Sequence, residues 1–338
     1  MYETYYGLTD KPFQLNPDPA FYFASRGHKR AFAYLKYGLH QSEGFIIITG
    51  EIGAGKTTLI RNLVEQIDPK QLVAAQLVST HLDADNLLRA VATAFGLPVN
   101  TVDKARLLAE LEAFLVSLVP QGKRALLIVD EAQNLSERAV EELRMLSNFQ
   151  LGNQGLLQSF LVGQPELRTV MQSPQMQQLR QRVTASYHLG PMDQVETQSY
   201  IEHRLRHVGW HADPTFDQGA FDAIFAFSAG IPRQINTLCN RLLLAAYLSE
   251  KHTIDTAHVE AIVAEIALEL SGLGDPAEGQ TVSGASSDEE FLDDATSAFG
   301  LEARVARLER AMSSVVKLLQ PATRSETAES PVNRTRKG

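Results

Sequence analysis

A glycine-rich segment, GEIGAGKTT at residues 50–58, indicates chemistry on phosphate groups. It fits the pattern G-x-x-x-x-G-K-[ST] and lies between an apolar run, FIIIT, and a helical pattern, which is the context that a phosphate-binding loop requires. Its glycines let backbone N–H groups turn inward around phosphate oxygens. We expect Lys56 to contact the β- and γ-phosphates of a nucleotide and the Thr57 hydroxyl to bind Mg²⁺. The residues predicted to bind the nucleotide are Gly50, Glu51, Gly53, Ala54, Gly55, Lys56, Thr57 and Thr58.

Two adjacent carboxylates supply a second half of such a site. In RALLIVDEAQNL, four apolar residues predict a buried strand, and Asp130 and Glu131 follow at its end. An acidic residue at this place in P-loop enzymes holds Mg²⁺, a role that we assign to Asp130. Glu131 is the candidate to orient and deprotonate the attacking water. The plainer alternative is a strand that ends in solvent.

The elements that must position these residues follow an alternating pattern. Between residues 27 and 190, short apolar runs alternate with longer helical patterns, which predicts an α/β fold with a parallel sheet covered by helices on both faces. The predicted strands are 45–49, 72–78, 125–129, 157–162 and 185–189. The predicted helices between them include 56–67, 85–95, 105–118 and 137–146.

After Gly190 the strand patterns stop, and helical patterns at 194–208, 218–227, 232–248 and 256–270 predict a small all-helical domain, here called the lid (residues 191–270). Pro232 suits the first position of the third of these helices. Arg233 then falls in the first turn, where the helix dipole disfavours a cation by about 0.3–1 kcal/mol. Either this guanidinium is solvated, or an anion supplied from elsewhere lies beside it.

The segment that follows the lid changes composition. Residues 271–303 contain no Lys or Arg and are rich in Asp, Glu, Gly and Ser, which predicts an acidic disordered linker over 271–300. Apolar residues then recur at steps of four and three, which predicts a short amphipathic helix over 301–320, either a coiled coil or a lone helix. Residues 321–338 are predicted to be a disordered tail. The sheet domain is assigned to residues 1–190.

Composition limits the class of protein. The 338 residues carry a net charge of −9, which argues against nucleic-acid binding through phosphate contacts alone. The single cysteine, Cys239, fits a reducing compartment. We find neither a signal peptide nor an apolar stretch of the ~20 residues needed to cross a bilayer. A soluble, cytoplasmic protein is expected, and peripheral association with the inner membrane through a partner remains open. Arg204 and Arg206 indicate a solvated helix face.

At this point the sequence resembles an AAA+ ATPase, and it is similar to the secretion-ATPase branch typified by general secretion pathway protein A. The resemblance spans roughly residues 1–270. The segments that carry it are YGLTDKPFQLNPDPAFYFAS, EGFIIITGEIGAGKTTLIRNL, LLIVDEAQNL, FLVGQPELR, LRQRV and GIPRQIN. The N-terminal segment and SRGHKRAFAYLKYGL also resemble ATPases encoded beside exosortase/PEP-CTERM and exopolysaccharide gene clusters.

The resemblance implies further site residues. Gln164 corresponds to the polar sensor that reads the γ-phosphate, with an ordinary strand-end amide as the alternative. Arg180 or Arg182, of which Arg182 is preferred, corresponds to an arginine finger that reaches a neighbouring subunit's nucleotide, so a homo-oligomer is implied; a solvated helix end is the alternative. Arg233 corresponds to a second sensor that reaches from the lid to the nucleotide of its own subunit. An aromatic N-terminal block is expected to pack beside the pocket: Tyr5, Tyr6, Phe13, Phe21, Tyr22 and Phe23.

The function implied is hydrolysis of ATP to ADP and phosphate by a switch or motor. It would assemble or regulate an envelope export system, for exopolysaccharide or for protein secretion and sorting, with the proteins of that machinery as partners. The alternative is an ATP-dependent DNA-binding switch, such as a transposition helper or an initiator-type ATPase. A small-molecule kinase is disfavoured, because a glutamate placed to activate water would waste ATP.

Overall fold

The computed structural model describes residues 1–16, 18–41, 44–78, 83–99 and 103–272. These residues belong to one compact unit, Met1–Asp275. The linker, the short helix and the tail predicted over 271–338 lie outside the described residues, apart from the first two, which end the last helix. Within the described ranges, no helix combines the length and the apolar character that crossing a membrane requires.

A five-stranded parallel sheet forms the centre of this unit. In chain order the strands are β1 (Phe45–Gly50), β2 (Leu72–Val78), β3 (Arg124–Asp130), β4 (Gln150–Leu151), β5 (Gln154–Gly155), β6 (Leu157–Gly163), β7 (Val183–Leu189), β8 (Thr215–Phe216) and β9 (Thr253–Ile254). The sheet has the order β2-β3-β6-β1-β7, while β4 pairs with β5 and β8 with β9. All five predicted sheet strands are confirmed. The two-residue strands are too short to leave a pattern in the sequence.

The helices are α1 (Tyr2–Tyr5), α2 (Arg26–Gln41), α3 (Lys56–Glu65), α4 (Ala84–Ala94), α5 (Lys104–Leu118), α6 (Glu137–Leu146), α7 (Glu166–Gln172), α8 (Gln177–Arg180), α9 (Gln194–His207), α10 (Gln218–Ser228), α11 (Pro232–Leu248) and α12 (Thr256–Gly272). Several begin at a side-chain cap that accepts a backbone N–H of the first turn, as the preference of Asp and Ser for this position predicts. These caps are Asp83, Asp103, Ser136, Asp193 and Asp217.

Helices cover both faces of the sheet. Successive side chains of a strand point to opposite faces, so each strand contributes to two buried clusters. In β1, Phe45 and Ile47 belong to one buried cluster, which includes residues of α4, α5 and α6. Ile46 and Ile48 belong to a second cluster, with residues of α2 and α3. Continuous apolar strands are therefore required, as the sequence pattern indicates.

A third buried cluster joins the lid helices α9–α12 to the N-terminal block. The hydroxyl of Tyr6 donates to the Lys251 carbonyl, and the hydroxyl of nearby Tyr2 donates to Asn240 Oδ1. Most side chains of the N-terminal block therefore pack with the lid helices rather than against the sheet. Only contacts about 240 residues apart in the chain reveal this, so no local pattern could have indicated it.

Candidate nucleotide site

The predicted phosphate-binding loop connects β1 to α3, with Gly53 (φ +82°) and Gly55 (φ +93°) in the left-handed region that favours glycine. The ammonium group of Lys56 is buried and donates to the carbonyl oxygens of Gly50 (2.7 Å) and Glu51 (3.0 Å). Burial lowers the pKa of Lys56, while the carboxylates of Glu131 and Asp130 oppose this shift. The loop thus binds the Lys56 ammonium through its own carbonyl oxygens, and phosphate oxygens could take the place of these carbonyls.

His28 packs against the loop, a contact that no pattern in the sequence indicates. A Cβ added to Gly55 would lie 2.8 Å from His28 Nε2, so only glycine fits here without a shift. The other ring nitrogen, Nδ1, is hydrogen-bonded to Ser25 Oγ at 2.7 Å. Burial lowers the pKa of His28 to about 4, which keeps the ring neutral at physiological pH.

The residues predicted to hold Mg²⁺ meet in the structure. The Thr57 hydroxyl donates to Asp130 Oδ2 at 2.9 Å, across 73 residues of sequence. The described ranges contain no cluster of three or more His, Cys, Asp or Glu side chains that could hold a metal ion by itself. Mg²⁺ keeps several waters and is bound in proteins by one or two carboxylates together with substrate phosphates. One hydroxyl and one carboxylate beside the loop therefore fit the ion.

Glu131 lies beside this pair in a left-handed conformation (φ +53°), which is uncommon for a residue other than glycine. Its Oε2 accepts hydrogen bonds from the side-chain amides of Gln133 (2.6 Å) and Gln164 (3.1 Å). Burial raises the pKa of Glu131, but these two amides and the Lys56 ammonium outweigh it and leave the pKa below its usual value. The structure thus brings the predicted base and the predicted γ-phosphate sensor into direct contact. Gln133 was not predicted.

Arg233 reaches the loop from the lid. Its backbone N–H donates to the Gly53 carbonyl at 3.2 Å, and a Cβ on Gly53 would lie only 2.2 Å from Arg233 Cβ. Pro232 occupies the first position of α11, as predicted, so Arg233 lies in the first turn. The side chain is exposed, and its guanidinium has no hydrogen bond or ion pair within the described part of the chain.

The two candidates for an arginine finger lie elsewhere. Arg182 precedes β7 at the edge of the sheet opposite the loop, and its guanidinium donates to the carbonyl (3.2 Å) and hydroxyl (2.9 Å) of Ser147. The Arg180 guanidinium donates to the carbonyls of Met171 and Ser173. Neither arginine lies at the phosphate-binding loop of its own chain. A role toward a second subunit stays a prediction.

A cleft of about 450 Å³ lies between the phosphate-binding loop, the acidic residues, the N-terminal segment and the lid. The loop contributes Ile52, Gly53, Gly55, Lys56, Thr57 and Thr58, and the acidic side contributes Glu131 and Gln164. Of the other predicted loop residues, Gly50 and Glu51 turn their carbonyls to Lys56, and Ala54 is buried. The other walls come from the N-terminal segment and the lid: Gln14, Leu15, Asn16, Asp18, Phe21, Tyr22, Phe23, His28, Met192, Tyr200, Arg204, Pro232, Arg233 and Asn236.

Arg204 corrects the expectation of a solvated helix face. Its side chain is buried, and it donates to the carbonyls of Pro12 (2.5 Å) and Gln14 (3.3 Å) and to the Tyr200 hydroxyl (2.8 Å). The guanidinium also lies over the ring of Phe21, 4.8 Å from its centre. Arg204 therefore fastens the N-terminal segment to the lid at the wall of the cleft.

Residues 39–171 match the family of AAA domains. This part of the chain, which contains the phosphate-binding loop and the Asp130–Glu131 pair, is therefore similar to AAA domains. The α/β fold class predicted from the sequence is thus confirmed, with a helical region after the sheet. Solved structures with a similar fold include Aeropyrum pernix ORC2 in ADPNP and ADP complexes (TM-score 0.56, 20% identity, 76% of this chain and 71% of that chain). Another is Drosophila ORC bound to DNA (TM-score 0.59, 15% identity, 79% and 67%). At these identities the likeness concerns the fold alone.

The chain is also 38% identical to General secretion pathway protein A of Aeromonas hydrophila over 276 residues, a stretch that covers 81% of this chain and 49% of that protein. The chain is thus similar both to AAA domains and to General secretion pathway protein A. The chain spans about half the length of this curated relative.

Proposed function

We propose that this chain is an AAA ATPase that hydrolyses ATP to ADP and phosphate as a switch in an envelope secretion or export system. The observation that carries the enzymatic part is that Lys56, Thr57 and Glu131 line one cleft, with Asp130 hydrogen-bonded to Thr57. The similarity to General secretion pathway protein A supports the secretion part. Export of exopolysaccharide or sorting of proteins is the finer proposal, with the proteins of that machinery as partners.

Each residue has a proposed role. Thr57 and Asp130 would hold Mg²⁺, and the bound ion would neutralise charge on the phosphates. The backbone N–H groups of the loop and the Lys56 ammonium would bind the phosphate oxygens and orient them. Glu131 would accept a hydrogen bond from a water molecule and take up its proton as the water attacks. Gln164, which also lines the cleft, would contact the γ-phosphate.

Phosphate release in the steady state tests these roles. We expect Lys56→Ala to lose nucleotide binding and hydrolysis together. Glu131→Gln is expected to keep binding while its turnover falls by about 10²–10⁴-fold, the usual contribution of a general base. The matched control is Glu137→Gln, which changes an exposed glutamate at the start of α6. Hydrolysis by Glu131→Gln at the wild-type rate would show that this carboxylate is not the base.

The lid is proposed to respond to ATP through Arg233. The first turn of α11 already contacts Gly53, and a γ-phosphate would give the exposed guanidinium an anionic partner there. Hydrogen exchange of α11 should therefore slow when a non-hydrolysable ATP analogue binds, and Arg233→Ala should reduce this protection. Arg138→Ala is the matched control, because Arg138 is exposed at the same second position of α6. Equal protection in both variants would contradict the role of Arg233.

Assembly and partners are tested separately. We propose a homo-oligomer in which Arg182 contacts the nucleotide of a neighbouring subunit. Light scattering with and without ATP should then show a larger particle with ATP for Glu131→Gln, and Arg182→Ala should lower hydrolysis without changing nucleotide affinity. Affinity capture with ATP-loaded Glu131→Gln should enrich envelope-export proteins that Lys56→Ala does not retain. Capture of the same proteins by both variants would contradict ATP-dependent association.

The alternative is a DNA-binding switch. Its support is the similarity of the chain to origin-recognition proteins, which concerns the fold alone. A mobility-shift assay with long duplex DNA separates the two proposals. We expect no ATP-dependent shift at physiological salt, and tight ATP-dependent binding would replace the export proposal.

A further inference from the structure

Gln133 occupies a short 3₁₀ turn, Ala132–Asn134, directly after Glu131. Both ends of its side-chain amide are engaged. The amide nitrogen donates to Glu131 Oε2 at 2.6 Å, and the amide oxygen accepts the backbone N–H of Gln164 at 3.0 Å. A Cβ on Gly163 would lie 2.6 Å from that amide oxygen, so the last residue of β6 leaves room for it only as glycine. This amide therefore connects β6 to the predicted base.

The contacts divide the Glu131 carboxylate into two unlike oxygens. Oε2 accepts from both Gln133 and Gln164, which fills its two acceptor sites. Oε1 has no hydrogen-bond partner within the residues that the structure describes. One oxygen thus fixes the orientation of the carboxylate, and the other remains able to accept a proton from water.

The two glutamines are held differently. The side-chain amide of Gln164 is held at Oε2, and Gln164 lines the cleft, so a γ-phosphate can compete with Glu131 for it. Gln133 is absent from the residues that line the cleft, and its amide oxygen is bound to main chain at the end of β6. Its donor can therefore stay on Oε2 while the other amide turns to the nucleotide.

We propose that Gln133 is a positioning residue for hydrolysis: it holds Glu131 by Oε2 and keeps Oε1 directed to the attacking water when Gln164 engages the γ-phosphate. It acts through Glu131 and touches neither nucleotide nor water. This inference rests on the proposed function, because it assigns the base role to Glu131.

The test uses two variants that remove the amide donor: Gln133→Leu, whose side chain is similar in size, and Gln133→Met, whose side chain is also unbranched. The control is Gln172→Leu, at the exposed end of α7. Loss of a hydrogen bond to a charged group predicts a fall in kcat of about ten- to a hundredfold. KM, and the Kd for a fluorescent ATP analogue, should stay within about twofold of the wild type, since Gln133 lies outside the cleft. Thermal unfolding checks that each variant is folded. If Gln133→Leu is not folded, the test is made with Gln133→Met.

A double-mutant cycle with Glu131→Gln adds a readout that a general loss of packing would not produce. If Gln133 acts through the carboxylate, Gln133→Met should lower the residual rate of Glu131→Gln by less than about twofold. An unchanged kcat in the Gln133 variants, or a raised Kd with normal kcat, would overturn the inference. Failure of the proposed function looks different: wild type and Glu131→Gln would then hydrolyse ATP equally, whatever stands at position 133.

Discussion

Replacing Gly53 by alanine should separate the lid from the phosphate-binding loop even without nucleotide. The added Cβ would lie 2.2 Å from Arg233 Cβ and 3.0 Å from Arg233 Cδ, and Gly53 has φ +82°. Real Cβ atoms do not approach other atoms at 2.2 Å, and the nearest atom belongs to the rigid part of the side chain. The first turn of α11 must therefore move, and the hydrogen bond from the Arg233 N–H to the Gly53 carbonyl is lost.

The size of the effect follows from two separate costs. An alanine in the left-handed region costs about 1–2 kcal/mol. Loss of the hydrogen bond between α11 and the loop, with its donor left unsatisfied, adds about 1–3 kcal/mol. Gly96→Ala isolates the first cost, because Gly96 has φ +78° and a Cβ there would meet open space. The difference between the two variants is therefore the cost of moving the lid.

Thermal unfolding of the nucleotide-free protein measures that difference. Since 1 kcal/mol shifts the Tm of a domain of this size by about 2–4 °C, Gly53→Ala should melt about 2–12 °C below Gly96→Ala. Hydrogen exchange should rise in the first turns of α11 in Gly53→Ala only. If the two variants melt within about 1 °C of each other and α11 stays equally protected, the lid does not rest on Gly53, and the reasoning is wrong.

Three further predictions follow from single buried or paired groups. Arg204→Met should lower the free energy of unfolding by about 2–4 kcal/mol in urea titrations, because main-chain acceptors of the N-terminal segment lose their donor; a change below about 0.5 kcal/mol would contradict this. The pKa of His28 is about 4 in the folded protein and near its ordinary 6.5 when unfolded, so unfolded chains bind more protons and stability falls as the pH drops from 6.5 to 4, by about 3 kcal/mol in all. His28→Gln should therefore flatten the dependence of Tm on pH over this range, and equal flattening by the exposed-site control His211→Gln would refute the assignment. Asp130→Asn should reduce the increase in ADP affinity that Mg²⁺ produces, measured by titration with and without EDTA, and an unchanged increase would remove Asp130 from the metal site.

Much of the fold and half of the site could be predicted because the signals are local. Strands buried on both faces must be continuous apolar runs, and the five sheet strands were placed within about two residues of their observed ends. The loop and the Asp130–Glu131 pair follow such strands directly. Parallel strands end at a common edge, so Lys56, Asp130 and Gln164 had to converge there.

The rest of the site depends on contacts that no local pattern carries. Arg204 and Arg206 are close neighbours on one helix, yet only Arg204 is buried, because main-chain carbonyls near residues 12–14 provide acceptors at its position. Gln133 looks like any polar residue after a strand until the 3₁₀ turn directs its amide back to Glu131. The glycines at 55 and 163 are explained by His28 and Gln133, which approach them from other elements.

The shared core of the N-terminal block and the lid determines how a change at the loop can spread. Because Tyr2, Tyr6 and Phe13 are buried among the lid helices, the lid cannot move relative to the sheet without carrying the N-terminal wall of the cleft with it. The contacts of the lid and the N-terminal segment with the sheet side include the α11–Gly53 contact, the Arg26 N–H, which donates to Glu196 Oε1 at 2.6 Å, and the ring of Tyr22, which packs edge-on against His28. A nucleotide bound in the cleft would contact the loop on one side and the lid with the N-terminal segment on the other, so we expect binding energy gained at the phosphates to act on the whole lid rather than on one helix.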